Sequence, residues 1–327
     1  MSANMSEGSF IYGSELQGRG YATQTDLIVG ITIWIIAVLA IVFGIINIFV
    51  VWKMPIFHNS FGAIWMTRTI GEVGANIVHV VYSAPVTAYQ PVLPPIFGII
   101  AFTSGLFLAC EACVMHQIVA TNRLVAVCFP VRYRTIFSKR NTAIIIGYCW
   151  IEVAAIMSLY YVIPCSIIGY SPKFYEYIFI KCDANDDRDY SLAGTIVNRS
   201  CFVLCSIASL TDAVTLSKII HIRVANKIAR NNSNFNRDVR FFAQTAVQNL
   251  TMMISCAAIV IANNGAMKET VYISILAFDT LILTHLSNSL VLVLFNREVR
   301  HYLGLHAPCT KEQIESTTGR EFIGRDT

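Results

Sequence analysis

The sequence predicts an all-α fold: a seven-transmembrane helix bundle with its amino terminus outside and a short amphipathic helix after helix 7. Three observations predict it. Of 327 residues, 55% are hydrophobic and 13% charged, with a mean hydropathy of +0.58, too little charge to coat a globule in water. The chain divides into seven largely apolar segments, each near the roughly 20 residues that cross about 30 Å of hydrocarbon. Lys and Arg are shared unevenly between alternate loops. With the amino terminus outside, seventeen of the 24 face the cytoplasm, five face outward, and Arg68 and Arg199 fall within helices. Positively charged loops are retained on the cytoplasmic side, so the asymmetry favours this orientation. The net charge of +4, without interleaved basic and aromatic residues, excludes nucleic acid as a partner.

The expected layout is an extracellular segment at residues 1–26, a membrane domain at 27–295 and a cytoplasmic tail at 296–327. The first segment is polar with acids at Glu7, Glu15 and Asp26, unlike a cleavable signal peptide, and Asn4 of Asn4-Met5-Ser6 is its glycan acceptor. Helix 1 occupies 27–52, uncharged and closed by Lys53 and Pro55. Helix 2 occupies 61–86 and carries Arg68, Glu72, Asn76 and His79; Pro91, Pro94 and Pro95 then mark a turn. Helix 3 follows at 96–122, a basic loop at 123–141 and helix 4 at 142–168. An acidic loop at 169–192 precedes helix 5, which ends near residue 220. A second basic loop leads to helix 6 at 241–262, and helix 7 occupies 270–295. Phe295, Val299, Tyr302 and Leu303 then recur at helical spacing among charges, as a helix lying on membrane lipid requires. Cys309 beyond it is a palmitoylation candidate.

Charged and polar residues inside spans are functional candidates, because ionised groups are costly there unless paired or protonated. Arg68 and Glu72, four apart, lie on one helix face and are placed to satisfy each other. Asn47, Glu72, Asn76 and Asp279 are the candidate intramembrane polar network, and Glu111 and Asp279 lie near mid-span, where they are candidates to line a cavity. Thr103 and Ser104, one to two turns outward of Glu111, complete a candidate ligand pocket; the other reading bonds each hydroxyl to its own helix. The ten cysteines lie mostly in apolar segments as packing residues, and no CxxC pair among them suggests a structural zinc site.

At the inner end of helix 3 the chain reads Thr121-Asn122-Arg123, with Pro130 seven residues and Trp150 twenty-seven residues beyond the arginine, and Tyr133 in the basic loop. These offsets resemble the rhodopsin-like receptors, whose Asp-Arg-Tyr triplet is followed by Pro and Trp at the same spacing. Arg123 is then the switch arginine, with Asn122, Pro130, Tyr133 and Asn288, which matches the Asn of the NPxxY motif, as its associates in coupling to a heterotrimeric G protein. Asn47 matches the polar position of that class's first helix. Asn122 and Leu124 replace the Asp and Tyr of the triplet, Ser289 and Leu292 replace the Pro and Tyr of NPxxY, and helices 5 and 6 lack prolines. The segments HNSFGAIWMTRTIG, IVATNRLVAVCFPVRYRTIFSKRNT and HLSNSLVLVLFNREVR more closely resemble the nematode serpentine chemoreceptors of the Srx class, whose pattern often has Asn where Glu72 stands. That resemblance implies a multi-pass plasma-membrane receptor, in sensory cilia, for an external small molecule or peptide. Rhodopsin-like receptors tie the outer end of helix 3 to the second external loop by a disulfide, but no Cys stands near Gly98; Cys182 pairs with Cys165 or remains a free thiol.

Other functions fit the residues less well. A seven-helix hydrolase would draw on Glu72, Asn76, His79, His116, Asp279 and His285, but helix 7 has one His and the histidines lie at different depths. A retinal protein needs a Schiff-base Lys in helix 7, and 270–295 contain none, so no cofactor and no enzyme activity are expected. A transporter or channel uses intramembrane carboxylates too, though no internal repeat is visible.

Overall fold

The computed structural model describes residues 11–183, 188, 190–225, 233–262 and 271–304. Asn4 and Cys309 lie outside these residues. The first long helix, α1 (Gln24–Lys53), begins where Thr23 and Asp26 form a reciprocal capping box and runs for about 45 Å at 1.5 Å per residue. Asn59 caps α2 (Ser60–Val78) by accepting from the Gly62 amide. Further along, Pro85 lacks a backbone donor and its ring crowds the preceding turn. The helix widens there into a π turn (His79–Ser83), in which the Ala84 amide donates to the His79 carbonyl five residues back, and continues as α3 (Ala84–Tyr89).

Two of the expected boundaries that move do so at prolines, while the helix expected at 241–262 begins eight residues earlier, at Ser233. The stretch 123–141 is helical almost throughout, not a loop. The helix α4 (Pro95–Cys128) continues past residue 122, Pro130 opens α5 (Pro130–Ile136), and Ser138 caps α6 (Lys139–Val162). A proline cannot continue α4, yet at the first position of a new helix its missing donor costs nothing. Arg123 therefore stands on a helix, not in a loop. At the other end of α6, Pro164 forces Ile163 out of helical geometry, so the helix stops six residues before the expected residue 168.

The chain leaving α6 adds a feature to the helical bundle. Strands β1 (Ile168–Ser171) and β2 (Glu176–Phe179) pair antiparallel, with Ile168 opposite Phe179 and Ser171 opposite Glu176. A disulfide between Cys165 and Cys182 brackets this hairpin. The remaining long helices are α7 (Leu192–Ala225), α8 (Ser233–Ala262) and α9 (Val271–Phe295). Asn296 caps the short α10 (Arg297–Tyr302), whose Val299 and neighbouring Leu303 pack inward; Tyr302 is 47% exposed and does not join the apolar side.

Among the described residues α1, α4, α6, α7 and α9 are long and apolar enough to cross a membrane, and α8 is apolar over Ala246–Ile261. Large apolar side chains such as Trp34, Val81, Ile151, Leu210 and Leu276 are exposed around the bundle, a surface suited to lipid. The largest core cluster surrounds α4, where Met115 and Val119 meet Ile64, Trp65, Val153 and Leu292. Helix α2 approaches α4 closely at Gly71, where an added Cβ would lie 2.7 Å from the Leu108 carbonyl oxygen. Small residues let membrane helices touch where no hydrophobic effect drives them together. Gly71→Ala is expected to destabilise the bundle by about 1–3 kcal/mol through overpacking. Gly147→Ala on α6, with nothing within 4 Å, should leave the thermal midpoint of the solubilised protein unchanged or slightly raised.

Candidate functional site

At the amino-terminal end of the bundle, the hairpin turns its aromatic residues inward. Tyr170 is fully buried, bonds Thr87 through its hydroxyl and meets Phe278 and Tyr177 at ring distances of 5.3 and 5.7 Å. Tyr177 also packs on Phe102 and Phe278, so hairpin and helices share one aromatic cluster. The chain preceding α1 straps this end down. Leu16 is 2% exposed and packs with Ile99 and Ile180, while Ser171 donates to the Glu15 carbonyl. Buried Asp26 gathers the latch, accepting from Arg19, from the Thr23 amide and hydroxyl, from Gln90 Nε2 at 2.9 Å and from the Tyr175 hydroxyl. Burial, and then that bond to Asp26, raise the Tyr175 pKa, which keeps the phenol a donor at neutral pH.

In the middle of the bundle lies a sealed polar cluster. Arg68 is 1% and Glu72 2% exposed, and four-residue spacing on α2 brings both Nε and Nη2 of Arg68 to Glu72 Oε1 at 3.0 Å. The same oxygen accepts from Asn288 Nδ2 of α9 at 2.7 Å, and Arg68 Nη1 donates to Gln248 Oε1 of α8 at 3.2 Å. Gln248 Nε2 donates in turn to the Asn288 carbonyl at 3.1 Å. One turn along α2, Asn76 donates to the Glu72 carbonyl and meets His285 Nδ1 at 3.1 Å; Asn47 of α1 donates to the Ser289 carbonyl at 2.8 Å. Polar side chains thus join α1, α2, α8 and α9 where lipid and water are both excluded.

Toward the other end, Arg123 is half-buried on α4, with its guanidinium 5.3 Å from the Phe61 ring and within electrostatic reach of Asp212 on α7. Asp212, 2% exposed, accepts from Asn249 Nδ2 of α8 at 2.6 Å. Beside Arg123, buried Asn122 donates to the Tyr133 hydroxyl at 3.4 Å, and Pro130 begins the short helix that presents that tyrosine. Gln248 and Asn249 are consecutive. One serves the Arg68–Glu72 cluster and the other Asp212, which lies within electrostatic reach of Arg123, so α8 links the two.

The structure groups some expected residues and separates others. Asn47, Glu72 and Asn76 lie in or beside the central cluster, and Asn288 joins them there instead of standing with Arg123. Asp279 is not brought to it: it lies nine residues before Asn288, and its buried Oδ1 meets no hydrogen-bond partner among the described residues. Thr103 bonds Tyr161 at 2.7 Å and Ser104 bonds its own helix at the Ile100 carbonyl; both line a groove of about 270 Å³ on the outside of the bundle between α4 and α6. Glu111 does not line that groove. It is fully buried toward Gly71, with neither carboxyl oxygen hydrogen-bonded among the described residues. Gln248 and Asn249 are not picked out by any motif, and adjacent amides in an apolar helix are their one signal in the sequence.

Comparisons with known proteins agree with this architecture. The family model described as serpentine type 7TM GPCR chemoreceptor Srx matches residues 34–296. Human olfactory receptor 10J1 is 24% identical over 195 residues, 58% of this chain and 59% of that protein. Serpentine receptor class X 45 of Caenorhabditis elegans is 25% identical over 132 residues, 37% of each. The matches therefore span less than two thirds of these relatives. The crystal structure of squid rhodopsin superposes with a TM-score of 0.69 over 87% of this chain and 81% of that one at 11% identity, a likeness of fold.

Removing one member of a buried ion pair strands the other charge, a loss of about 3–5 kcal/mol. Glu72→Ala is expected to cost that much in denaturation of the solubilised protein. The double substitution Arg68→Met/Glu72→Leu, which removes both charges and keeps the volume, should recover most of it; an equal or larger loss in the double variant would show that the charges are not coupled.

Proposed function

The chain belongs to the Srx class of serpentine seven-transmembrane chemoreceptors, and from that membership we propose that it passes the binding of an external small molecule or peptide to a cytoplasmic heterotrimeric G protein. On this reading it is a multi-pass protein of the plasma membrane, in sensory cilia as its family suggests, and not an enzyme. Residues 1–26 lie outside, 27–295 span the bilayer and 296–327 lie in the cytoplasm, the orientation that the Lys and Arg asymmetry favours.

The observation that carries the reading is the adjacency of Gln248 and Asn249. Ligand contact at the hairpin end acts on α9 through Phe278, and α9 is bonded through Asn288 to Glu72 and Gln248. A shift of α8 that alters the Gln248 contacts also displaces Asn249, the partner of Asp212, and so alters the field at Arg123. Two arrangements of one buried polar set supply the two states that a receptor requires. Arg123, near the end of α4, is the switch that offers a changed surface to the G protein, with Asn122, Tyr133 and Pro130 setting its surroundings.

The test is G-protein activation by the expressed protein against a chemical panel, comparing wild type, Arg123→Ala and Asn249→Ala at matched surface levels. Loss of most of the response in Arg123→Ala, with altered basal activity in Asn249→Ala, is the expected outcome. Ion flux in a reconstituted system without G-protein activation by wild type would instead assign a transporter or channel.

A further inference from the structure

Five of the seven free cysteines among the described residues gather at one place, where α4, α7 and α8 meet. Cys110 and Cys113 stand one turn apart on α4, Cys201 and Cys205 one turn apart on α7, and Cys256 faces them from α8. The sulfurs of Cys113 and Cys205 are 3.8 Å apart. Cys256 packs with this pair, Cys201 packs against the three, and Cys110 lies within electrostatic reach of Cys201. Met252 and Met253 close the group, and Ser209 donates to the Met253 sulfur at 3.3 Å. Single buried cysteines behave as small hydrophobes. Five thiols grouped around one close pair are instead a concentration of oxidisable sulfur, which the polar relay does not use. Among the described residues no three His, Cys, Asp or Glu side chains are arranged around one metal ion, so the chemistry available is pairwise.

We propose that Cys113 and Cys205 form a modification site at which a hydroperoxide makes a reversible disulfide between α4 and α7. One sulfur of the pair, as thiolate, attacks a peroxide oxygen; the O–O bond breaks and hydroxide leaves, taking up a proton to become water. The sulfenic acid so formed is attacked by the second sulfur, which loses its proton; the S–O bond breaks, and the hydroxyl leaves as a second water. Two thiols are oxidised to one disulfide while one hydrogen peroxide is reduced to two waters. The sulfurs close from 3.8 Å to roughly 2.05 Å, a movement shared by two side chains on packed helices. Hydrogen peroxide is neutral and little larger than water, and partly exposed Cys201 opens the cluster toward the bundle surface. Asp212 lies seven residues beyond Cys205, two turns along α7, so the bond fixes against α4 the helix that carries Asp212.

The experiment uses the full-length protein in lipid nanodiscs, treated with graded hydrogen peroxide, then denatured in N-ethylmaleimide and digested without reductant for mass spectrometry. The expected result is a Cys113–Cys205 cross-linked peptide that rises at least tenfold over the untreated sample and disappears with dithiothreitol, while Cys149, buried on α6 outside the cluster, is recovered alkylated. Cys113→Ser and Cys205→Ser should each abolish the link. Recovery of all five thiols alkylated after peroxide overturns the proposal, as does a mixture of pairings with no excess of Cys113–Cys205. Should either serine variant fail to fold, the wild-type cross-link pattern decides alone. The readout is sulfur chemistry, so its outcome is independent of whether the receptor couples to a G protein.

Discussion

A guanidinium and a carboxylate sealed between helices impose the strictest demand in this molecule. Neither lipid nor water reaches Arg68 and Glu72, so every hydrogen bond that offsets their desolvation comes from protein. Glu72 Oε1 takes two from Arg68 and one from Asn288, while the third Arg68 donor finds Gln248 and its guanidinium lies 4.8 Å from the Trp65 ring. These partners come from α2, α8 and α9, and the cluster is satisfied only when those helices hold one register. Asn47, bonded to the Ser289 carbonyl beside Asn288, brings α1 under the same condition. The rest of the packing, including the contact at Gly71, is arranged around that register.

A second constraint acts at the amino-terminal end. Asp26 is a capping residue of α1 and also the acceptor for Arg19, Gln90 and Tyr175, so one carboxylate orders a helix start, a strap and a hairpin. The hairpin in turn sets Tyr170 and Tyr177 against Phe278. These rings and Arg123 lie at the two ends of a run of side chains: Asn288 of α9 accepts from Gln248 of α8, and the next residue, Asn249, donates to Asp212 of α7.

Much of this was legible from local pattern. The spans followed from hydropathy, and the pairing of Arg68 with Glu72 from four-residue spacing. The helical run beyond residue 122 was obscured because basic side chains suggest a loop, although a helix tolerates them readily once it emerges from lipid. The early end of α6 was written in Pro164 but outweighed by the apolar residues around it. The hairpin eluded the hydropathy reading because its short strands, Ile168–Ser171 and Glu176–Phe179, are too brief to give a distinct period beside an apolar helix.

The sequence by itself determined what depends on one segment at a time: that long apolar helices cross a bilayer, where caps and prolines interrupt them, and which polar groups lie along them. Transfer of a segment into lipid and closure of a helical turn are local free energies, and local composition suffices to read them. The tertiary structure alone decided partnership. Asn288 joining Glu72 and not Arg123, Asp279 standing apart, Thr103 facing outward, and Gln248 and Asn249 serving two clusters all depend on the rotation of one helix against another. That rotation is set by the sum of many weak contacts and by the need to satisfy buried polar atoms across segments far apart in sequence, which no single stretch of the chain encodes.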